Sequence, residues 1–298
     1  GGSAGREGAS IQFGGSIGNW LGKLAHLDEF DHHVMIMCGM SAAFAAVFGT
    51  PMAAAVFAME VVSVGVMYYA ALLPCVIASI IAAEFATGMG IDPETFPVHS
   101  IPGLTVETGL KMALIAVGCG ILSILFCILL KTVGQLYTKY LKNPYIRIVV
   151  AAGVIILLTI CLNTKDYMGA GSGLIARAIE KGEARPLDFL WKMLLTALTM
   201  RAGYRGGEIV PAFSIGATFG CVAGGILGFS PELAAAASMV ALFCGVTNCP
   251  ITAMLISFEL FGFSGAAYYL IAISISYAVS GYYLSLIHIS EPTRPISI

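Results

Sequence analysis

Long stretches without a charged residue constrain this chain more than any other feature. They cover residues 34–59, 61–83, 112–130 and 148–164. A helix that crosses a bilayer needs roughly 20 apolar residues, so several crossings fit. Charged residues make up 11% of the chain, whereas soluble domains carry roughly a quarter. The sequence therefore predicts an all-α membrane protein and excludes a water-soluble domain.

Proline and glycine interrupt most of the apolar stretches. Residues 112–130 are the cleanest full span. The interruptions are Pro51, Pro74, Pro250 and the glycines within 14–22 and 216–228. Short, interrupted segments are typical of discontinuous helices that meet inside a membrane. Further along, the pattern predicts an amphipathic helix near 173–182 and an apolar piece near 186–200.

Two loops predict the orientation. Residues 88–110 contain three acidic residues and neither Lys nor Arg, whereas residues 138–147 contain two Lys and one Arg. The positive-inside rule places 138–147 in the cytoplasm and 88–110 outside, in a multi-pass protein of a cell membrane, which we take to be a bacterial plasma membrane. The net charge of −2 indicates no nucleic-acid partner. His32 and His33, which follow an acidic stretch, are predicted to be loop residues.

An internal repeat relates the two halves of the chain, about 1–137 and 144–283. Residues 39–61 (GMSAAFAAVFGTPMAAAVFAMEV) align with residues 238–260 (SMVALFCGVTNCPITAMLISFEL). The agreement includes the proline and the glutamate as well as the small residues, which argues against chance similarity of Ala-rich helices. The matched pairs are Met40 with Met239, Phe44 with Phe243, Pro51 with Pro250, and Glu60 with Glu259. An internally duplicated transporter shows this pattern.

Two glycine-rich turns open apolar helices, at residues 5–8 (GREG) and 206–211 (GGEIVP). Glycine allows the backbone to approach an ion closely. Pro211 suits a first helical position. The start of a helix exposes N–H groups without intrahelical partners and a partial positive charge, so it attracts anions. Two such starts that face each other would hold a partly dehydrated anion without a full positive charge.

These turns resemble the signatures of the CLC family of chloride channels and anion/proton antiporters. GREGASIQFGGSIG (5–18) is similar to the signature G-R/K-E-G-P, and GGEIVPAFSIGATFG (206–220) is similar to G-x-F-x-P. The resemblance extends to about Tyr283 and implies an inverted-repeat fold with discontinuous, tilted helices. It also implies a homodimer with one pore per subunit in a lipid bilayer. Chloride or fluoride, together with protons, are the implied partners, and no cofactor or metal is implied.

The resemblance assigns roles to individual residues. Glu7 falls on the gating glutamate of the family, whose carboxylate competes with the anion and takes up a proton when it is displaced. A carboxylate at a helix N-terminus mimics an anion, which agrees with this role. The backbone expected to bind the anion belongs to Arg6, Gly8, Ile209 and Val210. The signature residues expected to set selectivity are Gly5, Gly207, Glu208 and Pro211.

The chain departs from the chloride signatures at several positions. Ala9 replaces a proline, and Ile209 replaces a phenylalanine. Glu208 brings a carboxylate into the second signature, as in the G-G-E-V-T-P form of the fluoride/proton antiporter branch, although Val210 replaces the threonine of that form. Chloride is therefore the default ion and fluoride the alternative.

The inner proton-relay glutamate of the chloride antiporters is absent from this sequence. Its place is taken by Val61, and the fluoride branch also lacks it. The neighbouring Glu60 is a possible secondary proton site. A structural glutamate at a helix end is the preferred interpretation of Glu60 and of its repeat mate Glu259.

The two ends of the chain carry further predictions. A first anion-binding turn of the Gly-Ser-Gly-x-Pro type is expected before Gly1, and a pore tyrosine after Tyr283, so residues 1–283 are interpreted as a partial transmembrane domain. The segment LSLIHISEPTR, residues 284–294, matches the in-frame translation of a transposase sequencing adaptor. Residues 284–298 are accordingly interpreted as an artefact tail.

Three classes of function compete. The first is anion transport, by a channel or an anion/proton antiporter, with Glu7 as the gate. The second is an intramembrane enzyme, which needs a nucleophile and base or a set of metal ligands. No HExxH or paired-Asp motif is present, so an enzyme is not predicted. The third is a membrane scaffold without transport.

Overall fold

The computed structural model of the chain describes residues 1–62, 67–91, 93 and 95–281, and these residues form α-helices without a β-strand. The all-α prediction is confirmed. The predicted artefact tail, 284–298, lies outside the described residues. The helices are α1 (Glu7–Leu24), α2 (Glu29–Phe48), α3 (Pro51–Val62), α4 (Leu72–Gly88), α5 (Val106–Tyr140), α6 (Pro144–Leu162), α7 (Ser172–Glu180), α8 (Asp188–Ala202), α9 (Ile209–Ile226), α10 (Pro231–Thr247), α11 (Pro250–Phe261) and α12 (Ala266–Ser280), with a 3-10 turn at Tyr69–Ala71 before α4.

Helix length divides the apolar helices into two groups. Five helical segments of the described chain are long and apolar enough to cross a bilayer: Glu29–Phe48, Tyr69–Gly88, Val106–Tyr140, Pro144–Leu162 and Ile209–Ile226. Four apolar helices are shorter: Pro51–Val62, Pro231–Thr247, Pro250–Phe261 and Ala266–Ser280. Two of the shorter helices, α3 and α11, begin at the predicted proline breaks Pro51 and Pro250. This mixture is the discontinuous helical pattern expected from the sequence.

The aligned segments of the repeat form equivalent helices. Helices α1 and α9 each have 18 residues, and α3 and α11 each have 12 residues and begin with the matched prolines. Helices α2 and α10 both end at a residue in the left-handed conformation, Gly49 (φ 70°) and Asn248 (φ 58°). These two caps occupy equivalent repeat positions, so the same local turn precedes each proline-initiated helix.

Matched glycines bring the first two helices of each half into close contact. A Cβ at Gly14 would collide with the carbonyl oxygen of Gly39 in α2, and a Cβ at the equivalent Gly216 would lie 2.5 Å from the carbonyl oxygen of Ser238 in α10. Gly39 and Ser238 are themselves equivalent in the sequence alignment. The glycines were predicted to interrupt the apolar runs. They instead lie inside continuous helices, where the missing side chain permits tight packing.

The third helices of the two halves run antiparallel and cap each other. Near the end of α3, the carboxylate of Glu60 accepts hydrogen bonds from the backbone N–H groups of Ile251 (3.1 Å) and Thr252 (2.8 Å) at the start of α11. Near the end of α11, the carboxylate of Glu259 accepts from the N–H groups of Met52 and Ala53, both at 2.9 Å. This reciprocal capping requires the two helices to point in opposite directions, as expected for an inverted repeat.

Two further local predictions were wrong. His32 and His33 lie in the first turns of α2 rather than in a loop, because the Asp28 side chain accepts a hydrogen bond from Asp31 N (2.8 Å) and starts the helix early. Pro211 is the third residue of α9 rather than the first. The N–H groups of a whole first turn lack intrahelical acceptors, so proline is tolerated there too.

Candidate ion site

The two glycine-rich turns meet in space. Gly5 N donates to Gly207 O over 2.9 Å, and Gly207 N donates to Gly5 O over 2.7 Å. This antiparallel bridge joins residues about 200 positions apart in the chain. Because α1 begins two residues after Gly5 and α9 two residues after Gly207, both helix N-termini are brought to one point. We call the region formed by residues 5–8 and 206–211 the signature junction.

Glu7 lies inside the signature junction. It is the first residue of α1 and is 3% exposed. Its carboxylate contacts the backbone of Gly5, and a Cβ built on Gly207 would lie 2.7 Å from Glu7 Oε2. The carboxylate therefore folds back against the bridge between the two halves. A negative group held beside two helix N-termini is placed favourably by both dipoles.

The glycines of the signature junction allow its two strands of backbone to approach closely. A Cβ on Gly207 would lie 2.6 Å from Gly8 N, and a Cβ on Gly8 would lie 3.0 Å from Gly207 Cα. Any side chain at either position would thus displace the backbone of the other turn. Because the glycines have no side chains, the surface of the junction is formed by backbone peptide groups. Backbone N–H groups at a helix start are the kind of groups that bind a small anion.

The remaining signature residues are placed around this point. Ile209 and Val210 form the buried first turn of α9, and Glu208 immediately precedes that helix and is buried too. Pro211 is also buried, whereas Arg6 is exposed, so the backbone of Arg6 rather than its guanidinium belongs to the junction. The residues predicted to act together are thus close to one another in the fold.

Glu60 occupies a different place from Glu7. Its carboxylate holds the start of α11, where Thr252 Oγ1 donates to it over 2.5 Å in addition to the two backbone groups. This position matches the capping position of its repeat mate Glu259. The geometry supports the structural interpretation of both glutamates.

A cluster of phenylalanines beside the junction was not predicted from the sequence. Phe213 of α9 lies 6.0 Å from Phe48 and 5.2 Å from Phe243, measured between ring centroids. Phe57 joins the cluster, 6.2 Å from Phe243 and 4.8 Å from Phe44. The rings belong to helices of both halves. Phe44 and Phe243 are a matched pair of the repeat, but the repeat alignment alone does not show that their rings join one cluster.

Lys192 is a second residue that the sequence analysis missed. It lies in α8 and is fully buried. A single lysine inside the apolar piece predicted near 186–200 was the available signal, because ionisable residues inside membrane segments are commonly functional. No group of three or more potential metal ligands occurs among the residues that the structure describes.

One known protein family matches nearly the whole chain. The family described as voltage gated chloride channel matches residues 1–281. The chain belongs to this family. The family resemblance inferred from the signatures is thereby confirmed, and membership together with the five long apolar helices makes the chain a multi-pass protein of the plasma membrane.

Two curated relatives place the chain within the family. It is 32% identical over 309 residues to a chloride/fluoride channel protein of Pseudomonas syringae pv. tomato, covering 99% of this chain and 68% of the relative. It is 28% identical over 272 residues to the H⁺/Cl⁻ exchange transporter ClcA of Vibrio cholerae, covering 86% of this chain and 58% of the exchanger. The chain thus spans somewhat more than half the length of these relatives.

Solved structures agree with the fold. A CLC-type fluoride/proton antiporter superimposes with a TM-score of 0.92 at 33% identity, covering 96% of this chain and 72% of that one. A slow cyanobacterial Cl⁻/H⁺ antiporter superimposes with a TM-score of 0.79 at 18% identity, covering 94% and 68%. The CLC-type fold is confirmed. The relatives are channels, exchangers and antiporters, that is, transport proteins rather than enzymes.

Proposed function

We propose that this chain forms part of a CLC-type transporter for a small anion, with Glu7 as the gate. The observation that carries this proposal is the Gly5–Gly207 bridge, which brings two helix N-termini and one buried carboxylate to the same point. The carboxylate and the anion are both negative and both suit this site, so each displaces the other. Displacement into water then exposes Glu7 to protonation, which couples anion movement to proton movement.

Proton coupling distinguishes this function from a passive channel and from a scaffold. The test uses the full-length protein in liposomes with an outward anion gradient and a pH-sensitive dye outside. Antiport predicts that anion efflux drives proton influx against a small pH gradient. A channel predicts anion flux without proton movement, and a scaffold predicts neither.

Fluoride is favoured over chloride as the transported ion. Glu208 stands in the second signature directly before α9 and is buried, and a glutamate at this position resembles the form of the signature in the fluoride/proton antiporter branch. The likeness to a fluoride/proton antiporter supports the same ion. Parallel flux measurements with fluoride and chloride test this choice. Equal or faster chloride transport would reject fluoride as the preferred cargo.

We further propose that the transporter is a homodimer embedded in lipid. Helix α4 exposes an apolar stripe with i, i+4 spacing: Leu73, Ile77, Ile81 and Phe85. Such a face requires either lipid or another helix beside it. Photobleaching of singly labelled protein in liposomes tests the dimer, which predicts two bleaching steps. A single step in every spot would reject it.

A further inference from the structure

Lys192 is buried in the middle of α8 and is held by the backbone of a distant turn. Its Nζ donates to Tyr167 O over 3.1 Å and to Gly169 O over 2.8 Å. Its relative exposure is 0%. A buried ammonium group is costly unless it is hydrogen-bonded or paired. Two carbonyl dipoles reduce this cost, but they leave the positive charge in the interior of the protein.

The face of α8 that carries Lys192 also holds the segment leading to Glu7. Thr196 and Thr199 follow Lys192 at i+4 and i+7 and therefore share its face. Ser3 N donates to Thr199 Oγ1 over 3.0 Å, and the hydroxyl groups of Ser3 and Thr196 are 3.0 Å apart. Ser3 precedes Glu7 by four residues. This attachment fixes the position of the gate segment relative to the lysine.

The turn bound by Lys192 also contacts α9, the helix that begins at the other side of the signature junction. A Cβ at Gly171, which has a φ of +93°, would lie 2.7 Å from Ser214 Oγ in α9 and 2.9 Å from Lys192 Cε. Gly169 N donates to Gly2 O over 2.8 Å. The lysine thus links α8, the start of the chain and the first turns of α9 in one connected set of contacts.

On the basis of the proposed transport function, we propose that Lys192 is a positioning residue for the gate. In its ammonium form it places a buried positive charge behind the signature junction, which stabilises the Glu7 carboxylate and equally the anion that replaces it. The lysine does not contact the transported ion. Its hydrogen bonds to two carbonyl groups hold it in place, so it attracts the ion without binding it too tightly for release.

Other ionisable groups near Lys192 have partners of their own. The carboxylate of Asp188, one turn earlier on α8, accepts from the Tyr167 hydroxyl (2.6 Å) and from Arg185 N (3.0 Å). Asp166 pairs with Arg177 at 3.1 Å. On the side of the junction, Glu208 precedes α9, and the residue of α9 that faces the turn, Ser214, is neutral. Glu7 belongs to the gate segment that Ser3 attaches to the Lys192 face of α8.

The test compares Lys192→Met, which removes the charge and keeps the length, with Lys192→Arg, which keeps the charge. Each is made in the wild-type and the Glu7→Gln backgrounds of the full-length protein. In the wild-type background, K192M should raise the pH midpoint of anion-driven proton uptake by on the order of one unit, because the charged form of Glu7 has lost a stabilising charge. K192R should leave the midpoint near that of the wild type.

The Glu7→Gln background removes the competing carboxylate and isolates the effect on the anion. In this background, K192M should bind fluoride roughly tenfold more weakly than K192R, as measured by calorimetry. A change of this size is expected when one positive charge that acts on the anion through the protein is removed. Because Glu7→Gln has no proton uptake to titrate, the pH dependence of fluoride binding is measured instead, and the difference between K192M and K192R in this dependence should disappear. If it persists without Glu7, coupling of the lysine to the gate is rejected.

Two further results would overturn the role of Lys192. If K192M and K192R fold and differ from wild type by the same amount in both measurements, the lysine acts through its shape. Alternatively, K192M and Lys192→Gln both fail to give a monodisperse protein whereas K192R succeeds, in which case the charge serves folding. Failure of the transport proposal is recognised separately, because the wild type then neither binds the anion nor takes up protons.

Discussion

The two halves of the molecule meet at two places where a glutamate lies beside a helix N-terminus, and these places differ in how the glutamate is used. In the α3–α11 pair, Glu60 and Glu259 each cap the partner helix through backbone hydrogen bonds of 2.8–3.1 Å. In the signature junction, Glu7 lies at the start of its own helix against glycine backbone. The first arrangement fastens two helices together. The second leaves a carboxylate at the place where, in the proposed function, an anion replaces it.

The largest expected effect is the loss of proton coupling in Glu7→Gln. The neutral side chain neither competes with the anion nor carries a proton, so anion-driven proton flux should fall at least 100-fold, to the liposome leak. Passive anion flux should remain. Dye-based proton flux and electrode-based anion flux measure the two quantities. Glu60→Gln is the matched control and should keep proton coupling. Loss of proton coupling in Glu60→Gln would contradict the distinction between the α3–α11 pair and the signature junction.

Gly207→Ala should give the next largest effect. The added Cβ would lie 2.6 Å from Gly8 N and 2.7 Å from Glu7 Oε2, so the backbone of the junction must shift. We expect anion flux to fall roughly tenfold, since a displacement of about 1 Å at a site that positions its ligand has effects of this size or larger. The control is Gly153→Ala in α6, where a Cβ meets nothing within 4 Å. Unchanged flux in Gly207→Ala would contradict the close approach of the two turns.

Glu60→Ala and Glu259→Ala should lower stability and spare coupling. Each variant leaves two backbone N–H groups at a helix start without a carboxylate, at a cost of about 1–3 kcal/mol. The two variants should be affected similarly, because their positions are equivalent in the repeat. Thermal unfolding in detergent measures the loss, and the ratio of proton to anion flux per folded protein should equal that of wild type. A changed ratio in Glu60→Ala alone would support its role as a secondary proton site.

The smallest expected effect concerns Gly153 itself. It lies inside α6 at an exposed position with free space around it. Alanine has a higher helix propensity than glycine, so Gly153→Ala should raise stability by about 0.5–1 kcal/mol without changing transport. The same thermal unfolding assay detects the change. Destabilisation would indicate that this face of α6 packs against a neighbour in the membrane.

The sequence predicts those parts of the fold that have a local signal. Pro51 and Pro250 mark the starts of α3 and α11, and the two glycine-rich turns mark the starts of α1 and α9. The repeat also indicates that Glu60 and Glu259 have equivalent structural roles. Family resemblance then adds the expectation that the turns meet at an ion site.

The remaining features depend on contacts that leave no local pattern. The sequence placed His32 and His33 in a loop because the acidic residues before them resemble a polar connection, whereas Asp28 uses its side chain to start α2. The hydrogen bonds of Lys192 to a turn more than 20 residues away cannot be inferred from an isolated lysine in an apolar segment. Hydrogen-bond partners of this kind are identified from the packed structure, since they lie far apart in the sequence.

Competition between Glu7 and the anion is the central claim, and calorimetry tests it most directly. Fluoride and chloride are titrated into the full-length protein in two buffers of different ionisation enthalpy, which gives both the affinity and the number of protons taken up per anion. The account predicts proton uptake on anion binding by the wild type. It predicts tighter anion binding without proton uptake by Glu7→Gln. Equal affinity and equal proton uptake in the two proteins would contradict it.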